Sequence, residues 1–221
     1  MLVSEIIQNS VLPLSPHSNL ADLFVEDYPR STEYIPIVEN GSFFGFLPLE
    51  DIELDKENHS KVAECEIEKI EQFASPEQHL FEVLVLFQKA GINILPVIGE
   101  ESVYEGYILL ENVVSTISDT FAFQSEGGVL VISVATIDYS LSEISRLVES
   151  NQAKILSLIV ESDPFTHQRL FVHIKLNEKD LTRVVATLER FNYNVVEVHH
   201  TSQSTSLDQE RLDMLLKYLG I

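Results

Sequence analysis

The sequence predicts a mixed α/β (α+β) protein with a duplicated first half and a separate second half. Three observations carry this. Short patterns recur at a spacing of 60 residues up to about residue 118. The hydrophobic periodicity alternates between helical and strand-like along most of the chain. Acidic residues are concentrated ahead of a polar, glycine-containing break. Residues 1–120 hold 22 Asp and Glu against 5 Lys and Arg, a net of −17, and residues 121–221 hold 13 against 9, a net of −4.

The repeat is read off directly. Ser15-Pro16 recurs as Ser75-Pro76, Leu20 as Leu80 and Pro36 as Pro96. One inserted residue then moves Gly45 to Gly106, so that GFLPLEDI (45–52) returns as GYILLENV (106–113). In each copy Ser-Pro is expected to open a helix, since proline at the first turn loses no hydrogen bond. Ser75 and Gln78 have capping-box spacing. The helices are expected at 18–28 and 77–90, the second with an apolar stripe of Leu80, Val83, Leu84 and Phe87. A short buried strand follows (34–38 and 94–98), then a turn (39–41 and 99–101) and a second strand (43–47 and 103–109). A closing helix begins near Leu49 and near Leu110.

The break falls in SDTFAFQSEGG, residues 118–128. Beyond it a strand at 129–136 leads to a helix with Leu141, Ile144, Leu147 and Val148 on one face. Strands follow at 154–161 and 169–176, joined by a turn at Asp163-Pro164. In the second of them Leu170, Val172, Ile174 and Leu176 alternate with Arg169, Phe171, His173 and Lys175. A helix at 178–191 and a strand at 193–199 complete a βαββαβ order, which is ferredoxin-like. The chain ends in SLDQERLDMLLKYLGI, where Ser206 and Gln209 fit a capping box and Leu212, Leu215, Leu216 and Leu219 share a helix face. The polar face of this tail carries both signs of charge, which suits docking to protein better than a membrane surface.

Helix–strand–turn–strand–helix at about 60 residues, with Pro in the first strand and Gly in the second, resembles the CBS domain. Two copies in tandem resemble a CBS pair, or Bateman module. The second half resembles an ACT domain in topology, and the whole order is similar to that of the AcuB-type acetoin-utilisation proteins. The boundaries implied are CBS repeats at 1–58 and 59–118, a linker at 119–127, an ACT-like domain at 128–202 and a C-terminal amphipathic helix at 203–221.

The resemblance implies clefts between repeats that take adenosine-containing ligands such as AMP, ATP or S-adenosylmethionine. In the family an Asp holds ribose hydroxyls, and a Ser or Thr sits near the phosphate at a helix N-terminus, where free N–H groups favour anions. Carried over, the first copy keeps the acid as Asp51 but has Pro48 at the hydroxyl position. The second copy has Leu109 and Asn112 at those two positions. The strand residues expected to face adenine are Ile35 and Pro36, with Leu95 in the second copy. The ACT resemblance implies an amino-acid site or a dimerisation surface around Asp138, Ser140 and Leu141, with Ser140 where the family has glycine.

Composition narrows the function. A net charge of −21 argues against nucleic acid or an anionic membrane as partner. No run of about 18 apolar residues predicts a membrane helix, and MLVSEIIQNS does not read as a signal peptide. The single cysteine, Cys65, fits a reducing cytoplasm. His199 and His200 would point to opposite faces of a strand, and His167 and His173 lack ligand spacing, so no metal site is expected. No P-loop, Rossmann glycine run or hydrolase motif occurs, and the chain is not expected to be an enzyme. Two readings stand: a cytoplasmic, homodimeric sensor of a small molecule, or an oligomerisation and protein-interaction scaffold with degenerate ligand sites.

Overall fold

The computed structural model describes residues 1–20, 33–49, 61–166 and 168–199. It divides into two compact units, Met1–Ile117 and Ser118–Ile221. The helix expected at 18–28, the helix after Leu49, Asp51, His167, His200 and the C-terminal segment at 203–221 lie wholly or largely outside the described residues.

The first unit holds two β-hairpins. Strand β1 (Tyr34–Glu39) pairs antiparallel with β2 (Ser42–Pro48), and β3 (Ile94–Ile98) with β4 (Tyr104–Leu109). Each hairpin has one bulge, at equivalent places, between Ile37 and Val38 and between Val97 and Ile98. The first turn uses Asn40 and Gly41, both at positive φ (50° and 83°), which suits the twist of a two-residue hairpin. Helix α1 (Leu80–Ala90) precedes the second hairpin and α2 (Leu110–Ser118) follows it.

The duplication reaches into single hydrogen bonds. Leu14 N donates to Pro36 O and Ala74 N to Pro96 O, both at 2.9 Å. Leu49 N donates to Glu33 O and Leu110 N to Asn93 O, again both at 2.9 Å. Phe43 and Tyr104, equivalent residues of the two copies, stack on each other with centroids 5.7 Å apart and planes 16° apart.

The copies are also interlocked. The segment ahead of the first copy packs on the second: Val3 N donates to Gln78 O, and Gln8 exchanges two bonds with Tyr107. The segment ahead of the second copy packs on the first: Val62 N donates to Ser18 O, and Glu68 exchanges two bonds with Phe46. Glycine is required where these segments cross the hairpins. A Cβ on Gly106 would lie 2.7 Å from Gln8 O, and one on Gly45 would lie 2.7 Å from Glu68 O.

One expectation is corrected. Ser75-Pro76 forms a turn ahead of the helix, and α1 starts at Leu80 with His79 as its N-cap. The reason is competition for backbone partners. Gln78 N donates to Ser75 O, Gln78 Oε1 accepts from Ser75 N, and Leu80 N donates to Met1 O. The equivalent Ser15–Ser18 turn has the same two bonds.

The second unit is a four-stranded antiparallel sheet in the order β6-β7-β5-β8, from β5 (Val129–Ala135), β6 (Ile155–Ser162), β7 (Arg169–Leu176) and β8 (Asn194–His199). A short helix α3 (Phe121–Gln124) precedes them, α4 (Leu141–Glu149) follows β5, and α5 (Thr182–Arg190) follows β7. This is the ferredoxin-like order. One face of the sheet packs Leu130, Ile132, Val172 and Ile174 against Ile144, Leu147, Val184 and Leu188 of the helices. A bulge between Ile155 and Ser157 resets the alternation of β6, so Ile155 and Leu158 both reach the core. Within the stretch expected to link the units, α3 is held to the sheet by Lys175 Nζ, which donates to Phe123 O at 2.9 Å.

Candidate functional site

A cleft of about 700 Å³ opens in the first unit. Glu33 and Tyr34 come from the first copy, Asn93, Ile94, Tyr107 and the start of α2 from the second, and Gln8 and Ser10 from the leading segment. Two hydrogen bonds join residues of its lining: Ser10 Oγ and Tyr107 Oη lie 2.9 Å apart, and Asn93 Nδ2 donates to Glu33 Oε2 at 3.0 Å. These pairings tie residues remote in sequence, which fixes the cleft through tertiary packing.

Asn112 and Leu109 line this cleft. The backbone carbonyl of Asn112 accepts from Thr116 Oγ1 at 2.8 Å, which fastens its turn of α2. Its side-chain Oδ1 is buried and has no hydrogen-bond partner among the described residues. Such an acceptor costs free energy until a donor reaches it. Among the described residues the other buried side-chain polar atom without a partner is Tyr104 Oη. Burial pushes the Tyr104 phenol well above its ordinary pKa, with the neighbouring Tyr107 adding to the shift.

The remaining expected residues fall elsewhere. Ile35 and Leu95 are fully buried in the two apolar cores of the unit, and their neighbours Tyr34 and Ile94 are in the cleft lining, Tyr34 half-buried and Ile94 itself a core residue. Pro36 and Pro48 are buried, and Pro48 pairs in register with Tyr34. Asp51, the acid of the first copy, lies outside the described residues.

Gln8, Ser10, Glu33, Asn93, Tyr107 and Glu111 were not singled out from the sequence. The leading segment reaches the cleft only through the exchange described above. Glu33 and Asn93 carry a signal in hindsight, being 60 residues apart and directly bonded.

In the second unit, Asp138 ends a short 3-10 turn, Thr136–Asp138. Ser140 is the N-cap of α4, its Oγ accepting from Glu143 N at 3.4 Å and lying 3.1 Å from Ser142 Oγ. Leu141 is half exposed. Tyr193 Oη donates to Glu143 Oε2 at 3.3 Å, and burial first, then the Glu143 charge, raises the Tyr193 pKa. His173 lies 3.2 Å from Glu161, and His199 lies 2.8 Å from Glu197. Among the described residues no helix is long and apolar enough to cross a membrane.

The chain matches no protein-family model and no curated protein. It is similar to a CBS domain pair/ACT domain protein from Thermotoga maritima, with 20% identity over 55% of this chain and 99% of that one, at a TM-score of 0.47. It is similar to OpuCA of Staphylococcus aureus, with 21% identity over 53% of this chain and 99% of that one, at 0.45. It is also similar to the CBS domain of a bacterial CNNM/CorC-family Mg2+ transporter in complex with ATP, with 18% identity over 53% of this chain and 87% of that one, at 0.45.

Proposed function

We propose that the chain is a non-catalytic, cytoplasmic regulatory protein. In this reading a tandem CBS pair, with copies at 1–58 and 59–118, senses a small adenosine-containing molecule such as AMP, ATP or S-adenosylmethionine. The pair is coupled to an ACT-like domain at 128–202. One observation carries the reading: the cleft is assembled from both copies of the repeat and holds Asn112, at the position equivalent to Asp51, with its Oδ1 unpaired. A ligand seated there touches both copies at once. It biases their packing to the extent that it binds two arrangements with different affinity.

The test is a thermal-shift screen of the full chain with AMP, ATP, S-adenosylmethionine and adenosine, with and without magnesium. A ligand at about 100 times its Kd adds roughly 2.7 kcal/mol of stability. Asn112→Ala is expected to remove the shift while leaving the chain folded. Absence of any shift across the set would sink the sensor reading.

The scaffold reading is favoured by a different feature. Helix α1 buries Leu80, Val83 and Phe87, yet Phe81, Leu84 and Val85 are apolar and exposed on its other side. A cluster of exposed apolar side chains on one helix is a typical contact surface, and a homodimer would cover it. Sedimentation of the wild type against Phe81→Glu tests this face: a dimer split by the substitution places the contact on α1, and a monomer in both removes the self-association that the scaffold reading needs. The ligand screen above separates a dimeric sensor from a dimeric scaffold.

A further inference from the structure

The charge of the cleft points to the kind of adenosine compound it takes. Among the described residues its lining has no Lys, Arg or His, and it has two carboxylates, Glu33 and Glu111, both exposed at the rim. The described lysines of the unit, Lys61, Lys69 and Lys89, are all absent from the lining. Lys69 lies over the Phe44 ring at 5.2 Å. The unit's strong negative charge adds a field that repels anions over a longer range.

The start of α2 is also poorly suited to phosphate. A helix N-terminus attracts anions through its free N–H groups. Here Leu110 N already donates to Asn93 O at 2.9 Å, and Glu111 places this chain's own carboxylate in the first turn. The unpaired group of the cleft, Asn112 Oδ1, is an acceptor and needs a donor. A ribose hydroxyl or a purine amine provides one, whereas a fully ionised phosphate can use only the Nδ2 donor of the same amide.

We infer that this cleft selects adenosine compounds that carry no phosphate, neutral or cationic, and discriminates against AMP and ATP. The inference rests on reading the cleft as an adenosine site. Tyr34, Ile94 and Leu109 are the apolar lining available to a purine, Asn112 offers an acceptor to the sugar or base, and Glu33 and Glu111 are the charged groups of the lining that a 5′ substituent would meet. A sulfonium or ammonium there is attracted, and a phosphate is repelled.

The experiment is titration calorimetry of the full chain with adenosine, S-adenosylmethionine, AMP and ATP, each with and without magnesium. Adenosine and S-adenosylmethionine are expected to bind about tenfold or more tighter than AMP and ATP. The double variant Glu33→Gln, Glu111→Gln should narrow that gap, by strengthening AMP and weakening S-adenosylmethionine. Both carboxylates are exposed, and glutamine at position 33 keeps a side-chain oxygen that can accept from Asn93 Nδ2. AMP or ATP binding as tightly as adenosine, with or without magnesium, overturns the charge selection and leaves the adenosine site standing. Binding of none of the four overturns the site itself and the selection with it. A gap that persists unchanged in the double variant overturns the assignment to these two carboxylates.

Discussion

Asn112 in the first unit and Ser140 in the second stand at comparable places, each at the beginning of a helix that follows a strand. Their side chains are used differently. Ser140 Oγ accepts from Glu143 N and closes the end of α4, so it is spent on the fold. Asn112 is tied down through its backbone carbonyl, while its Oδ1 is buried with no partner. Both buried side-chain atoms left without a partner among the described residues belong to the first unit. A polar group spent on structure cannot serve a ligand at the same time. The difference separates a polar group closed within its own helix from a buried acceptor with no partner among the described residues.

The sharpest way to break the comparison is to disturb the interlocking that shapes the cleft. Gly106→Ala brings a Cβ to 2.7 Å from Gln8 O, at a glycine with φ of 147°. That oxygen cannot retreat without losing its bond from Tyr107 N. Gly45→Ala meets Glu68 O in the same way on the other copy. Each is expected to cost about 1–3 kcal/mol. Urea unfolding followed by circular dichroism should show an earlier transition for both variants. Gly106→Ala should also weaken ligand binding, because Gln8 lines the cleft. An unchanged midpoint in both variants would remove the crossing segments as the reason for glycine.

These glycines also show how much the sequence disclosed. The repeat placed Gly45 and Gly106 in register, and the strands of both hairpins fall within a residue or so of expectation, because alternation and turn residues are local signals. Strand β7 was legible to the residue, Arg169–Leu176. The helix start at Leu80 was not, because its preceding backbone pairs with Met1 and Val3, about 75 residues away. The site was half legible. Leu109 and Asn112 followed from the repeat, whereas Gln8 and Ser10 enter only through the exchange of leading segments. Ile35 and Leu95 were expected on the strands that face adenine, and the residues of those two strands in the cleft lining are their neighbours Tyr34 and Ile94.

A smaller effect tests the other side of the comparison. If Ser140 is spent on the fold, Ser140→Ala should destabilise the second unit by about 1 kcal/mol, and Ser140→Gly by only a few tenths. Neither should alter ligand binding in the first unit. Thermal melts of the three proteins, with and without ligand, give both readings. Equal melting of wild type and Ser140→Ala would take the cap away as the role of this serine.

The smallest expected change has the opposite sign, and it asks whether an unpaired group in the first unit is always kept for a ligand. Tyr104 Oη is buried without a partner, and the ring stacks on Phe43 at the contact between the copies. Tyr104→Phe keeps the stack and removes the stranded hydroxyl, so it should stabilise the chain by about 0.5–1 kcal/mol and leave ligand binding unchanged. The pH dependence gives a second reading. In the unfolded chain the phenol titrates near its ordinary value of about 10. In the folded chain burial raises the pKa, so the folded state holds its proton longer. The stability tied to that proton is therefore complete below about pH 10 and is lost as pH rises beyond it. Tyr193, raised by burial and by Glu143, acts with the same sign in the second unit. Tyr104→Phe should flatten the alkaline fall without abolishing it, leaving the part due to Tyr193. A variant less stable than wild type at neutral pH would mean that the hydroxyl has a partner in solution.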